Sequence, residues 1–389
     1  MEMLAGSELK DSLTSFFSAV SGVLNGDSNL SSASINSNFD GFDALIVDNN
    51  LTGLGLDSAR LTAETIIGYL RAFTDAPYII SLNKNPHVDF DLRYLFGDYQ
   101  SLADLALNTQ HLSNSRLWMQ KSGEGFSPWY WPLVADAALR RREQFEFIAE
   151  NLERPVWETL NFPPEADDYL SLRAKSPLSS TEGNPREASF EVFCESSRVL
   201  PPAEIKKLRE LAARESEFAT KAVRQISAYE VDRWLRRDVL GTQDVLIDLP
   251  HLVVQMPFLL GERGGDLASW NEVAKQKEPP FGLDAALFKT HLESALFYHT
   301  MWAPGPCFWW PSLKSNEQLA ERFFAATGDW PDAVFCEDVS RFVHVTGSGE
   351  TDSPQEFEAE VEGSWTRRYI AVVEECVYSP RSRILRSTA

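Results

Sequence analysis

The chain has 389 residues, of which 43% are hydrophobic and 24% are charged, and its formal net charge is −21 at pH 7. This excess of carboxylates disfavours a large nucleic-acid footprint or an anionic-membrane surface, because phosphate groups attract Lys and Arg. No apolar stretch approaches the roughly 20 residues that a membrane-spanning helix needs, so we expect no membrane segment. The Cys residues form no C-x-x-C pair, so we expect no zinc site and no disulfide framework. Both expectations indicate a cytoplasmic protein.

The N-terminal part of the chain alternates between helices and strands. Apolar residues at helical spacing predict an amphipathic helix within residues 1–25. Short apolar runs bounded by turn residues then predict strands at 44–48, 77–82 and 103–107, with helices between them at 56–73 and 89–96. Because strict alternation implies right-handed crossovers between parallel strands, we expect a flavodoxin-like α/β domain over residues 39–118.

The remainder of the chain predicts an α+β domain with a β-rich end. Residues 119–186 are expected to form a helical connector and loop, with a helix at 133–152 and a domain boundary or a long ordered loop at 162–186. The C-terminal domain is expected to cover residues 187–389. Its predicted helices lie at 202–240, 285–302 and 315–326, and its predicted strands at 333–336, 341–346, 357–361 and 368–378.

The segment from Phe42 to Asn83 reads FDALIVDNNLTGLGLDSARLTAETIIGYLRAFTDAPYIISLN. It resembles the receiver domain of two-component response regulators, and the resemblance extends over residues 42–110. The resemblance implies that Asp48, at the end of a strand, corresponds to the phospho-acceptor. It also implies that Ser81 corresponds to the switch hydroxyl, although Asn83 competes for that position.

The phosphorylation site is incomplete in either alignment with a receiver. An aspartyl phosphate needs a nucleophilic carboxylate, Mg²⁺ held by further carboxylates, and a cation that receivers supply with a Lys. With Asp48 as the acceptor, Asn108 stands where the Lys is expected, and Lys84 is an imperfect substitute. With Asp48 as a metal-binding acid of the first strand, Asn108 stands where the acceptor is expected. We therefore expect a degenerate receiver without a cofactor, because Mg²⁺ would bind only at a competent site.

The C-terminal half carries a second group of candidate catalytic residues. In the segment DVLIDLPH, Asp244, Asp248 and His251 resemble a pair of acids with a base near the end of a strand. Glu337 follows another predicted strand and is a further candidate. The alternative hypothesis is therefore a hydrolase-like enzyme, which requires these side chains to converge on a pocket and not on a filled core.

The predicted helix at 285–302 carries His291, Glu293 and His299. Their spacing differs from the H-E-x-x-H pattern, in which two His residues share one helix face and bind zinc. We therefore predict core or surface histidines and no metal site, with Asp48 as the single candidate for metal binding.

Two runs rich in Trp and Pro are unusual in this chain. The first contains Trp129, Tyr130 and Trp131, and the second contains Trp309 and Trp310. Large aromatic rings often anchor protein interfaces, so we predict these five as binding residues. The alternative is that the rings pack inside the protein.

The resulting hypothesis is an intracellular regulatory or interaction protein that recognises a protein partner through its degenerate receiver-like domain. By analogy with degenerate receivers, the chain is expected in bacterial signalling, stress or phage-defence assemblies. A homo-oligomer is compatible with the sequence.

Overall fold

The computed structural model describes residues 6–25, 39, 42, 44–48, 62–83, 101–108, 134–179, 184–303, 305–325, 328–345, 354–357 and 367–371. The helices are α1 (Gly6–Leu24), α2 (Ala63–Phe73), α3 (Val134–Asn151), α4 (Val156–Thr159), α5 (Ala166–Tyr169), α6 (Leu172–Lys175), α7 (Glu191–Glu195), α8 (Pro202–Ala212), α9 (Glu217–Trp234), α10 (Leu249–Gln255), α11 (Leu267–Val273), α12 (Ala285–Leu287), α13 (Trp310–Lys314) and α14 (Glu317–Ala325). The strands are β1 (Leu45–Asp48), β2 (Ile79–Asn83), β3 (Leu105–Asn108), β4 (Leu246–Asp248), β5 (Leu296–Phe297), β6 (Cys307–Trp309), β7 (Ala333–Cys336), β8 (Arg341–His344), β9 (Gln355–Phe357) and β10 (Arg368–Ile370). The protein is therefore mixed α/β. Within these residues, no helix combines the length and the apolar character that crossing a bilayer requires.

The described strands form three sheets. Strands β1, β2 and β3 lie side by side in this order, and both pairs are parallel. Strands β4, β6 and β5 form an antiparallel sheet. In the sheet β8-β7-β10-β9, the pair of β7 and β10 is parallel and the other two pairs are antiparallel. The parallel sheet predicted in the N-terminal part is thus confirmed, whereas its flavodoxin-like character stays a prediction.

The side chains of β1 alternate between the protein core and the opposite face, as the geometry of a strand requires. Leu45 and Val47 pack into the core that contains α1 and α2. Ile46 is 56% exposed, and Asp48 is half-buried. One face of β1 is therefore covered, and the other carries an exposed apolar side chain.

Helix α2 attaches the parallel sheet to the C-terminal helices. It begins after Thr62, whose hydroxyl caps the first turn. Gly68 approaches the backbone of Val199 so closely that a Cβ atom there would lie 2.1 Å from the carbonyl oxygen. Phe73 stacks on Phe218 of α9, with ring centroids 5.2 Å apart. The core around the sheet consequently includes α8 and α9, and it crosses the predicted boundaries between the N-terminal and C-terminal domains.

Two predictions for the middle of the chain are wrong in detail. The loop predicted at 162–186 contains α5 and α6, which place buried residues in a core with α9. The helix predicted at 202–240 is divided into α8 and α9. Glu215 has a φ of 63°, outside the helical region, and the side chain of Ser216 then caps α9.

The prediction of a helix at 285–302 is wrong for all but the first turns. The chain forms α12 and a π turn at Phe288–Leu292, and it then becomes the extended strand β5. Because β5 pairs with β6, long-range pairing overrides the helical spacing of the apolar residues. His291 and His299 therefore do not share one helix.

The sheet of β4, β6 and β5 lies between two hydrophobic cores. Cys307 and Trp309 of β6 contribute to the first core, and the intervening Phe308 contributes to the second. Leu246 and Ile247 of β4 are divided between the two cores in the same way. Both faces of this sheet are thus buried, and residues at its ends lie deep inside the protein.

Candidate functional site

The carboxyl ends of the three parallel strands form one edge of the N-terminal sheet. Asp48 is the last residue of β1. Ser81 of β2 lies opposite Val47 and is 2% exposed. At the carboxyl ends of β2 and β3, Asn83 lies opposite Asn108. The positions that the receiver resemblance singled out are therefore brought to the same edge.

The strand order distinguishes between the two alignments with a receiver. In the flavodoxin-like order 2-1-3-4-5, the third, fourth and fifth strands are neighbours in sequence order, whereas the first strand lies between the second and the third. Here β2 lies between β1 and β3. If the sheet is receiver-like, its strands are the third to the fifth, and Asp48 takes the acceptor position. The alignment that makes β1 the first strand does not fit this order.

The described residues do not complete a phosphorylation site at this edge. In the flavodoxin-like order, the first strand pairs with the third, and ligands bind in the crevice between these two strands. If β1 is the third strand, its outer edge should therefore pair with a first strand, but no described strand lies there. Strand β3 ends on Asn108 where a receiver has a Lys, and Lys84 lies outside the described residues. Nor does the described part of the chain contain three or more His, Cys, Asp or Glu side chains arranged to hold a metal ion.

Three of the candidate catalytic residues in the C-terminal part converge. Asp248 ends β4, and its Oδ1 atom accepts a hydrogen bond from the backbone N–H of His251 at 3.0 Å. The same oxygen lies 2.6 Å from ring atom Nδ1 of His251. On the other side of the ring, Nε2 lies 3.5 Å from Oε1 of Glu337, a distance typical of an ion pair and long for a hydrogen bond. All three side chains are buried.

Further polar groups fill the space around these residues. Arg368 of β10 binds both carboxylate oxygens of Glu337. The side chain of Gln243 donates a hydrogen bond to Asp248 and accepts one from its backbone N–H, both at 2.9 Å. We call Gln243, Asp248, His251, Glu337 and Arg368 the histidine cluster. The convergence that the enzyme hypothesis requires is present, but in a packed interior.

The neighbouring charges determine the protonation of His251. Burial by itself lowers the pKa of His251, but Asp248 and Glu337 outweigh this effect and raise the pKa to about 9. Burial would raise the pKa of Glu337, but Arg368 and His251 hold it below its usual value. At neutral pH the ring is therefore an imidazolium between two carboxylates. Because a general base must be unprotonated, this arrangement is suited to holding the structure together.

The cysteines near the histidine cluster are poor nucleophiles. Cys307 lies opposite Asp248 in the β4–β6 pair, and burial, with a smaller effect of that carboxylate, raises the pKa of its thiol. Burial likewise raises the pKa of Cys336. These residues and Cys194 are buried and free, as expected for reduced core cysteines. Asp244, the remaining catalytic candidate, precedes β4 and is half-buried.

The predicted binding residues that the structure describes lack the exposure of interface anchors. Trp309 is 3% exposed and Trp310 is 8% exposed. The Trp309 ring packs against Phe162 and Phe297, with centroid distances of 4.5 and 5.4 Å. Internal packing, the alternative drawn from the sequence, therefore describes these two rings. The other three predicted binding residues, at 129–131, lie outside the described residues.

A second buried ionic cluster, which was not predicted from the sequence, joins the parallel sheet to the helices. Arg71 of α2 and Arg141 of α3 both bind Asp104, which directly precedes β3. Arg141 and Arg236 both bind Asp232 of α9. We call these five residues the arginine cluster. The sequence does carry a signal, because Arg71 and Asp104 interrupt the apolar runs IIGYLRAF and LADLAL, and a charge in such a run indicates a buried pair.

Two neutral side chains complete the arginine cluster. Gln144 donates a hydrogen bond to Asp232 at 2.8 Å. The guanidinium carbon of Arg71 lies 4.4 Å from the centre of the Tyr229 ring, which forms a cation–π contact. Burial by itself raises the pKa of Asp232, but the two arginines bound to it hold the pKa below its usual value. The carboxylate is therefore ionised inside the protein.

The two histidines considered as metal ligands lie apart from both clusters. His291 is buried, and its Nδ1 atom lies 3.4 Å from the side-chain nitrogen of Asn316. His299 is half-buried against the rings of Phe147 and Phe297, and burial lowers its pKa. This placement agrees with the prediction of core or surface histidines.

The candidate sites are thus the carboxyl edge of the parallel sheet and the two buried ionic clusters. No family model matches the chain, and no curated protein and no solved structure is significantly similar to it.

Proposed function

We propose that the chain is a cytoplasmic regulatory or interaction protein that recognises a protein partner through its N-terminal parallel sheet, without phosphorylation of Asp48. The observation that carries the proposal is the 56% exposure of Ile46 in a parallel strand. Parallel sheets are normally covered on both faces, so an exposed Ile in such a strand is a candidate contact surface. The strand order and the position of Asn108 support the interpretation of this sheet as part of a degenerate, flavodoxin-like receiver domain.

The chemistry of this face favours a partner with apolar and basic side chains. Ile46 and Asp48 lie on the same face of β1, because side chains alternate along a strand. We call these two residues the β1 surface. The net charge of −21 attracts a basic partner and repels an acidic one. Bacterial signalling, stress response and phage defence are the settings that the receiver resemblance implies for such a partner.

The β1 surface is tested by a charged substitution in a capture experiment. Tagged wild-type protein and the Ile46→Asp variant are used to capture partners from the native host, and bound proteins are quantified by mass spectrometry. We expect a stoichiometric partner with wild type and a loss of about tenfold or more with Ile46→Asp, since a buried charge at an interface centre typically costs 2 kcal/mol or more.

Leu172→Asp is the matched control, because Leu172 is 89% exposed on α6, outside the parallel sheet. We expect this variant to retain the partner. Equal capture by Ile46→Asp and wild type, with both folded by circular dichroism, would contradict the proposal. So would a wild-type protein that captures no stoichiometric partner.

The absence of phosphorylation is tested separately. Wild-type protein is incubated with acetyl phosphate and Mg²⁺, and its intact mass is measured. We expect no adduct, because this chain has Asn108 where receivers carry a Lys, so a phosphoryl group at Asp48 would lack that positive charge. A stoichiometric phosphoryl adduct that disappears in Asp48→Asn would show that the edge is a competent phosphorylation site.

A further inference from the structure

The strands β9 and β10 lie together at one side of the sheet β8-β7-β10-β9. They pair with each other in antiparallel fashion, with Arg368 opposite Phe357 and Ile370 opposite Gln355. Within the sheet, β10 connects this pair to β7. We call β9 and β10 the C-terminal strand pair. Its attachment to the remaining sheet therefore depends on the contact between β10 and β7.

The contact between β10 and β7 is short. Strand β8 pairs with all four residues of β7, whereas β10 lies opposite β7 at Cys336. Beyond this point, the N–H of Glu337 donates a hydrogen bond to the carbonyl oxygen of Tyr369 at 2.9 Å. The N–H of Ala371 donates to Oδ1 of Asp338 at 2.8 Å. These groups can bond to water when the strands separate, so the hydrogen bonds add little net stability to the attachment.

The side chain of Arg368 fastens β10 to β7. Its buried guanidinium binds both carboxylate oxygens of Glu337 and donates a hydrogen bond to the carbonyl oxygen of Gly241 at 2.7 Å. The loss of hydration offsets most of the attraction within a buried ion pair, so such a pair stabilises a closed structure only weakly. When β10 separates, Arg368 regains water, and Glu337 keeps its contact with His251. The ion pair can therefore open without leaving an uncompensated charge inside the protein.

Strand β10 also buries little apolar surface compared with the central strand β6. Among the three residues of β10, Ile370 is the buried apolar one, and Tyr369 is half-buried. All three residues of β6 are buried, and they are divided between two hydrophobic cores. Because segments with few buried apolar contacts are the ones that open locally, we expect β10 to separate more readily than β6.

We propose that the C-terminal strand pair is a detachable strap, which separates from β7 while the rest of the protein stays folded, and that the ion pair of Arg368 and Glu337 is the latch that keeps it closed. Separation turns β7 from a central strand into an edge strand, whose free N–H and C=O groups can pair with another chain. The strap thus controls access to this edge. It is independent of the β1 surface, which belongs to a different sheet.

Hydrogen exchange of the wild-type full chain tests whether the strap opens by itself. Exchange is followed by mass spectrometry at increasing urea concentrations below the unfolding transition, in peptides that contain β10 or β6. We expect β10 to exchange at least about tenfold faster than β6 and to depend less on urea, because local opening exposes less surface than global unfolding. Equal rates and equal urea dependence would overturn the proposal, since the strands would then separate only when the whole protein unfolds.

Arg368→Ala tests the latch, and Arg367→Ala is the matched control, because Arg367 is an adjacent arginine whose side chain is 74% exposed. Without urea, we expect β10 to exchange at least about tenfold faster in Arg368→Ala than in wild type, as for the loss of charge-assisted hydrogen bonds. The control should exchange at the wild-type rate. A wild-type rate for β10 in folded Arg368→Ala would refute the latch. If this variant does not fold, the wild-type experiment still decides whether the strap exists.

Chemical rescue separates the loss of the ion pair from the loss of packing. Low concentrations of guanidinium chloride are added to Arg368→Ala, and sodium chloride at the same ionic strength is the reference. A guanidinium ion can occupy the place of the missing group beside Glu337 and Gly241, so we expect it to slow the exchange of β10 in this variant and not in wild type. If guanidinium and sodium had the same effect on the variant, lost packing would explain the faster exchange, and the ion pair would not be the latch.

Discussion

The histidine cluster and the arginine cluster are both buried, but they differ in charge balance. In the histidine cluster two cations, His251 and Arg368, alternate with two carboxylates, Asp248 and Glu337. In the arginine cluster three guanidinium groups contact two carboxylates. Both clusters contain buried nitrogens without a hydrogen-bond partner among the described residues, namely Nε2 of His251 in the first and Nη1 of Arg141 and Nε of Arg236 in the second. The charges of the first cluster are therefore balanced, and those of the second are not.

The comparison shows that convergence of ionisable residues does not by itself identify a reactive site. Asp248, His251 and Glu337 meet as a catalytic group would, yet the two carboxylates keep the imidazole protonated. What matters is whether charges and hydrogen bonds are satisfied within the protein. Three predictions test whether the two clusters differ in this way.

The largest effect is expected in the arginine cluster. Asp232→Asn removes the carboxylate that Arg141 and Arg236 share, which leaves both guanidinium groups with less compensation inside the protein. We expect a loss of about 3–5 kcal/mol in the free energy of unfolding, as for other broken buried ion pairs. Urea denaturation measures this change.

Asp75→Asn is the control for this prediction. Asp75 pairs with Lys221 at 2.7 Å, but its side chain is 49% exposed. We expect a change of about 0–1 kcal/mol, because solvent screens an exposed pair. If Asp232→Asn and Asp75→Asn lowered the free energy of unfolding by similar amounts, the arginine cluster would stabilise the protein no more than an exposed ion pair does.

An intermediate effect is expected from pH in the histidine cluster. The pKa of His251 is raised from 6.5 to about 9, so the imidazolium stabilises the folded state. This contribution is fully present below pH 6.5 and is lost as the pH rises through 9. It amounts to about 3 kcal/mol, because each pKa unit corresponds to about 1.4 kcal/mol. Denaturation midpoints measured from pH 6 to 9 should fall accordingly.

His251→Gln is the control for the pH dependence. The variant has no titrating group at this position, so we expect a much flatter stability profile between pH 6.5 and about 8.5, the range below the pKa of unfolded Cys. An unchanged slope in His251→Gln would show that another group carries the pH dependence.

The smallest effect is expected for Arg368→Met in the histidine cluster. This change removes one of the two cations beside Glu337, while His251 remains. We expect a loss of about 1–3 kcal/mol in the free energy of unfolding, which is less than the roughly 3–5 kcal/mol of a fully broken buried ion pair, because the imidazolium of His251 still compensates the carboxylate of Glu337. Arg367→Met is the matched control, since Arg367 is an adjacent, 74% exposed arginine, and we expect no measurable change. If Arg368→Met destabilised the protein more than Asp232→Asn, the ranking of the two clusters would be reversed.

Elements with a strong local pattern were predictable from the sequence. Helix α1 and the parallel strands follow from apolar spacing and turn residues, and their predicted positions agree with the structure to within a few residues. Strand β5 was not predictable in this way, because its apolar residues also fit a helix and only the pairing with β6 decides between the two.

The candidate sites were predictable only in part, for the same reason. Asp248 and His251 are close in sequence, so their contact was within reach of local reasoning. The protonation of His251 was not, because Glu337 approaches from a distant strand. The arginine cluster was missed entirely, since it combines α2, α3 and α9 with the residue before β3.

The close contact between Gly68 and Val199 limits how this protein can be rearranged in evolution. Parallel sheets with their covering helices are often regarded as interchangeable modules, but here even a methyl group at position 68 of α2 would collide with the carbonyl oxygen of Val199. A recombination event that replaced the sheet alone would have to supply a helix with Gly at this position and an Arg that reaches Asp104. The smallest part of the protein that could be exchanged without a clash is therefore the sheet together with the helices that pack on α2.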